Sequence, residues 1–142
     1  IGIIVFLVII GGVYVVFFQK TKICCIGEKA VSFQYKDFLS VTNPSSRNRV
    51  ISSPFVVEGQ ARGNWFFEAS FPVKLKDANG KEIFAGIAHA GSEWMTTDFV
   101  PFTATITFSK PSTKTGFLVL EKDNPSGLKE NEDFFEIPVS FE

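Results

Sequence analysis

From residue 65 onward, apolar side chains fall on every second position. Trp65, Phe67, Ala69, Phe71, Val73 and Leu75 share one side, and Glu68, Ser70, Lys74 and Lys76 take the other. Phe66 is the apolar exception on the polar side. A period of two marks a strand with one buried face. Phe102, Ala104, Ile106 and Phe108 alternate with Thr103, Thr105 and Thr107 in the same way. Residues 82–90 set Ile83, Ala85, Ile87 and the single histidine, His89, against Phe84, Gly86 and Ala88. Turn signals separate these runs: Asn43-Pro44-Ser45-Ser46, Asp77-Ala78-Asn79-Gly80 and Asp123-Asn124-Pro125-Ser126-Gly127. Asn-Gly in particular favours a tight hairpin, because both residues tolerate positive φ. The pattern predicts strands at 38–42, 50–59, 65–76, 82–90, 102–108, 117–122 and 135–141. Pro54 demotes the start of the second to an edge or a bulge.

The leading segment follows a different rule. Residues 1–18 contain only Ile, Gly, Val, Phe, Leu and Tyr. At about 1.5 Å per residue, a helix of that length reaches roughly 27 Å, near the hydrocarbon thickness of a bilayer. The expectation is a transmembrane helix over residues 1–19. A signal-peptide core is usually shorter and is followed by a small-residue cleavage site, which this run lacks; a buried helix is the other alternative. Residues 20–36 read as a juxtamembrane linker and residues 37–142 as the folded domain. Lys20, Lys22 and Lys29 just after the span favour a cytoplasmic C-terminal side by the positive-inside rule.

Adjacent Cys24 and Cys25 lie past the span, and the β region carries no cysteine. Neighbouring cysteines strain the peptide when bonded to each other, so a disulfide framework is not expected. Juxtamembrane cysteines can carry lipid, although Ile23 before them argues against a lipoprotein signal. Net charge is -1, and no basic patch interleaves with the 17 Phe, which leaves nucleic-acid binding without support. About seven short strands with frequent turns and no helix in the domain predict an all-β fold, an immunoglobulin-like β-sandwich. Trp65 is the expected central aromatic, without the Cys–Trp–Cys spacing of antibody domains.

Three blocks carry a resemblance to a known family. The first runs from Ser53-Pro54 through Gly59-Gln60-Ala61-Arg62-Gly63 to Trp65-Phe66-Phe67-Glu68-Ala69-Ser70-Phe71-Pro72. The second is Trp94-Met95-Thr96 with Phe99-Val100-Pro101-Phe102. The third is Asp123-Asn124-Pro125-Ser126-Gly127, closed by Ile137-Pro138-Val139. In order and spacing, residues 39–141 resemble the immunoglobulin-like domain of bacterial spore germination, the Gmad-type domain often found beside a GerM domain. The resemblance implies an Ig-like sandwich on the outer side of a bacterial membrane, with no catalytic residue to carry over. That location conflicts with the visible lysines, and we follow the resemblance. With no GerM-like domain beside it here, the resemblance implies a stand-alone envelope protein related to spore germination proteins, and it leaves a germination role open.

Candidate chemistry is sparse. His89 lacks the partners of a triad or zinc site and reads as structural. Asp77-Ala78-Asn79-Gly80 lacks the remaining ligands of a calcium loop, and turn chemistry explains it. Glu68 and Asp98 suggest a carboxylate pair for glycoside hydrolysis, while Arg62 offers either one a simpler partner. Arg62, Asn64, Phe66, Glu68, Trp94, Met95 and Asp98 together form a candidate interaction patch, provided Phe66 is exposed beside Trp94. The expected function is that of a non-enzymatic, single-pass membrane-anchored module of the bacterial envelope, without cofactor or metal. It would be held by residues 1–19 and bind an envelope protein or a wall glycan. A cell-wall glycan hydrolase using Glu68 and Asp98, or a purely structural spacer, are the alternatives.

Overall fold

The computed structural model describes the strands Val5–Ile10 and Val13–Phe18 and residues 31–46 and 49–142. Cys24, Cys25 and most of the expected linker lie outside the described residues. So do parts of the expected transmembrane helix. The described parts of that run are strands β1 (Val5–Ile10) and β2 (Val13–Phe18), paired antiparallel from Val5↔Phe18 to Ile10↔Val13. They form a sheet of their own rather than the expected helix. Val and Ile, which favour extended backbone, fill more than half of the positions in the two strands taken together. Among the described residues no helix is long and apolar enough to cross a membrane.

Nine further strands make one curled sheet: β3 (Phe33–Tyr35), β4 (Leu39–Asn43), β5 (Val50–Ile51), β6 (Phe55–Arg62), β7 (Ser70–Asp77), β8 (Glu82–Ala90), β9 (Phe99–Ile106), β10 (Thr115–Glu121) and β11 (Phe134–Phe141). Their order is β3-β4-β6-β9-β8-β7-β10-β11-β5. β8 pairs with β7 along most of its length but with β9 only at His89↔Thr103 and Ala90↔Phe102. The sheet therefore turns a corner at the end of β8. The β4–β6–β9 half then faces the β7–β10–β11 half. The chain changes halves between β4, antiparallel to β6, and β5, parallel to β11.

Alternation fills the space between the halves. Val57 and Ala61 of β6, Phe102, Ala104 and Ile106 of β9, Phe71, Val73 and Leu75 of β7, and Leu118 and Leu120 of β10 are buried in one cluster. Each Val, Leu, Ile and Phe among them contributes about 1.5–3 kcal/mol of burial. Phe71 meets Phe102 edge-on across the interior at 5.0 Å between centroids.

Three expectations change. β3 falls within the stretch expected to be linker, because Phe33 and Tyr35 pack on the core as an edge strand. The expected strand 50–59 divides into β5 and β6 around Pro54. The expected strand 65–76 starts only at Ser70. A 3-10 turn occupies Gly63–Trp65, and Glu68 and Ala69 take positive φ of 49° and 61°. That turn breaks the two-residue count, so Phe66 is buried beside Trp65 and Phe67 points to solvent.

Candidate functional site

Arg62 ends β6 and works inward on its neighbours. Its Nε donates to the Asp37 carbonyl at 3.0 Å, its Nη2 to Asp37 Oδ2 at 2.7 Å, and its Nη1 to the Thr97 carbonyl at 3.2 Å. The guanidinium also lies 4.0 Å from the Phe99 ring centroid. Gly63 next to it donates to the Asp98 carbonyl at 3.2 Å. These bonds tie the β3–β4 turn and the 94–98 loop to the end of the sheet.

The expected interaction patch does not assemble around an exposed Phe66. Phe66 is buried and meets Phe71 edge-on at 5.2 Å. Trp94 is half-buried against the core cluster. Asn64, Glu68, Met95 and Asp98 are exposed. No hydrogen bond or ion pair joins Glu68 to Asp98; the charge of Glu68 is felt instead by Asp123. His89 is exposed on β8. Among the described residues no three His, Cys, Asp or Glu side chains gather as a metal site.

A different surface stands out on the outer side of β8, β7, β10 and β11. The ladder registers place its residues in rows. Phe134 of β11 is opposite Glu121 of β10, and Pro72 of β7 is opposite Ile87 of β8. The next row runs Glu136, Val119, Lys74 and Ala85, and the one after it Pro138, Phe117 and Lys76. Phe134, Ile87 and Phe117 are 54%, 51% and 41% exposed. Val119 looks outward yet is covered, flanked by Lys74 and Glu136. Lys74 bonds Glu121 at 2.8 Å across the middle of the face. The opposite outer face is mostly polar: Thr42 and Ser40 on β4, Glu58 and Gln60 on β6 and Thr103 and Thr105 on β9 share it with Val56 of β6, which is 40% exposed. The first side thus carries three of the exposed large apolar side chains, set among Lys74, Lys76, Glu121 and Glu136.

A cleft of about 450 Å³ opens at one end of this face, between the sheet and the loop that precedes β11. Pro72, Lys74, Glu121, Asp123, Asp133 and Phe134 contribute to its lining. Partial burial pushes the Asp123 carboxyl up from its ordinary value and the Glu68 charge adds to this, against a hydrogen bond from the Asn124 backbone. Asp133 behaves in the opposite sense. Partial burial pushes it up, but the Tyr35 hydroxyl and the Lys36 ammonium outweigh that and hold it low. The cleft can hold a polar group at its acidic end beside the apolar sheet face. Sequence alternation signalled that β7 and β10 have two faces. Which strands lie side by side, and hence this row of outward residues, was not readable from it.

Residues 38–128 match the model of a protein family described as the immunoglobulin-like domain of bacterial spore germination. The match runs from the start of β4 through β10 into the loop that lines the cleft. No curated protein and no solved structure matches the chain.

Proposed function

Because the chain belongs to the family of immunoglobulin-like domains of bacterial spore germination, we propose that it is a non-enzymatic binding or scaffolding module of the cell envelope. In this reading the fold is a two-layer sandwich, residues 1–19 hold it in the membrane, and the domain stands outside the cytoplasm. Its contact surface is the outer face of β8, β7, β10 and β11. The observation that carries this is the exposure of Ile87, Phe117 and Phe134 on that face, against Val56 alone among the large apolar side chains exposed on β4, β6 and β9. Apolar groups held out on a rigid sheet lose water favourably when a partner covers them.

A photo-reactive side chain placed at Ile87 in cells tests the reading. Adducts from position 87, together with none from Thr105 on the opposite face, are expected. Absence of adducts from 87 would overturn the contact surface. Protease added to intact cells should digest the domain; protection that disappears only on permeabilisation would overturn its side of the membrane.

A further inference from the structure

We infer that the free edge of β8 pairs antiparallel with the β8 of a second copy of this chain, about a two-fold axis through Gly86. Ala90 donates its backbone N–H to the Ala69 carbonyl at 2.8 Å, on the β7 side, and Gly91 donates to the Pro101 carbonyl at 2.7 Å, on the β9 side. Successive residues of a strand turn their backbone groups to opposite edges. Counting back, Phe84, Gly86 and Ala88 bond β7, whereas Ala85, Ile87 and His89 turn their N–H and C=O the other way. Pro72, which has no N–H to give, stands opposite Ile87 in agreement with this. His89 meets Thr103 of β9, but the two strands pair no further back along β8. Among the described residues the backbone groups of Ala85 and Ile87 therefore have no partner, and both residues are exposed. This edge is a different surface from the outer face, since it offers main-chain donors and acceptors.

Such an edge takes an extended chain, and proteins guard it with short strands, Lys or Pro. The two end strands of the sheet are guarded by length: β3 has three residues and β5 two. β8 has nine, with no charge and no proline from Ile83 to Ala88. The occupant must itself be a strand, and β8 is complementary to itself. A bulge against Leu75 and Lys76 takes Ile83 out of line, so the pairing runs over 84–88. With Gly86 on the axis, Ala85 of each copy faces Ile87 of the other, and the four free N–H groups of the pair meet the four free C=O groups. Phe84 faces Ala88, so a large side chain stands beside a small one on both sides of the axis. The pair on the axis is one that exchanges no hydrogen bond, where Cα atoms approach to about 4.5 Å. Glycine puts no side chain into that approach. No charge is buried: Lys81 and Glu82 are exposed beyond the paired run, and the two Glu82 stand about 27 Å apart. Five residues a side fall well short of the roughly 20–30 of a standard interface, so the association is weak and concentration-dependent.

The full-length chain with Cys24 and Cys25 replaced by Ser, purified in detergent, provides the test. Amide exchange is followed by NMR from dilute to concentrated samples. In the dilute sample Ala85 and Ile87 should exchange at least tenfold faster than Gly86 and Ala88, which bond β7. In the concentrated one Ala85 and Ile87 should slow at least tenfold. A chain that associates while these two amides stay fast would overturn the edge pairing, and one that sediments as a monomer at every concentration would overturn the second copy as occupant. Ile87→Pro removes a donor that faces away from β7, a position where an edge strand tolerates proline. It should leave circular dichroism unchanged and abolish the slowing at Ala85. Ile87→Lys, which keeps the backbone and guards the edge with a charge, should do the same where the proline variant fails to fold. Retained slowing at Ala85 in a folded variant would overturn the pairing. Register is read by mixing Ala85→Cys and Ile87→Cys chains under mild oxidation. The mixed disulfide should exceed either self-product several-fold, because like positions stand about 9 Å apart, beyond the reach of a disulfide. A dominant Ala85→Cys self-product would overturn the axis at Gly86.

Discussion

Tyr35 donates its hydroxyl to Oδ1 of Asp133 at 2.6 Å, joining the edge strand β3 to the residue that leads into β11. Lys36 takes the other carboxylate oxygen at 3.3 Å and sits 4.6 Å over the Tyr35 ring. The same ring stacks on Phe135 at 5.1 Å and meets the edge of Trp65 at 6.0 Å. One side chain thus fastens a short edge strand to the far half of the sheet, by a charged hydrogen bond outside and by aromatic packing inside.

Tyr35→Phe keeps the rings and removes the hydroxyl. A hydrogen bond to a charged, part-exposed carboxylate contributes about 1 kcal/mol after solvent screening. Asp133 is held low in the fold despite its burial. Its stabilisation is present above the unfolded carboxylate value and is lost as pH falls through the lower folded one. The Tyr35→Phe deficit should therefore be full at neutral pH and shrink below about pH 4. Urea midpoints at both ends of that range check this; an equal deficit at both would remove the carboxylate from the explanation.

Arg62→Lys should cost about 1 kcal/mol, since one ammonium cannot reproduce a planar fork with several directed donors. Arg62 holds the Asp37 carbonyl and carboxylate together with the Thr97 carbonyl. Its replacement should speed amide exchange at Gly63, whose N–H bonds Asp98. Exchange at β10 should stay as it was. Uniform acceleration across the domain would show global loss of stability rather than release of this loop.

The alternation of Phe102, Ala104 and Ile106 with Thr103 and Thr105 was legible because β9 is buried on one side only, and those residues lie inside and outside as the pattern requires. Asn79-Gly80 was legible because residue type there reports backbone: Gly80 has φ 79°. The turn before β7 was not. Positive φ at Glu68 and Ala69 has no signature in residue type, so the count of two carried on through a segment where it no longer holds. Phe66 changed sides for that reason, and the expected patch with it. The outer face was hidden for another reason. Glu136, Val119, Lys74 and Ala85 form a row only once four strands distant in sequence are set in register.

Gly63→Ala should be among the most disruptive small substitutions. A Cβ there would overlap the backbone carbonyl oxygens of Thr96 and Trp94, which cannot swing aside as a side-chain tip can. A cost of about 2–3 kcal/mol is expected for overpacking against backbone. Gly80→Ala supplies the contrast. No atom lies near its Cβ position, and only its φ of 79° opposes a side chain, at about 1 kcal/mol. Thermal unfolding of the two variants should rank Gly63→Ala well below Gly80→Ala. The reverse order would mean that the 94–98 loop yields freely.

Asp123 carries the opposite sign to Asp133. Burial, and then the charge of Glu68, push its carboxyl up, so the folded state disfavours the ionised form. That penalty is present at neutral pH and disappears as pH falls through the raised folded value. Asp123→Asn should therefore raise the melting temperature at pH 7 by about 2 °C, with the gain fading in acid. If Glu68 supplies part of the penalty, the gain should be smaller in a Glu68→Gln background, because contacting charges do not act additively. A gain of the same size in both backgrounds would leave burial as the sole cause and uncouple Glu68 from the cleft.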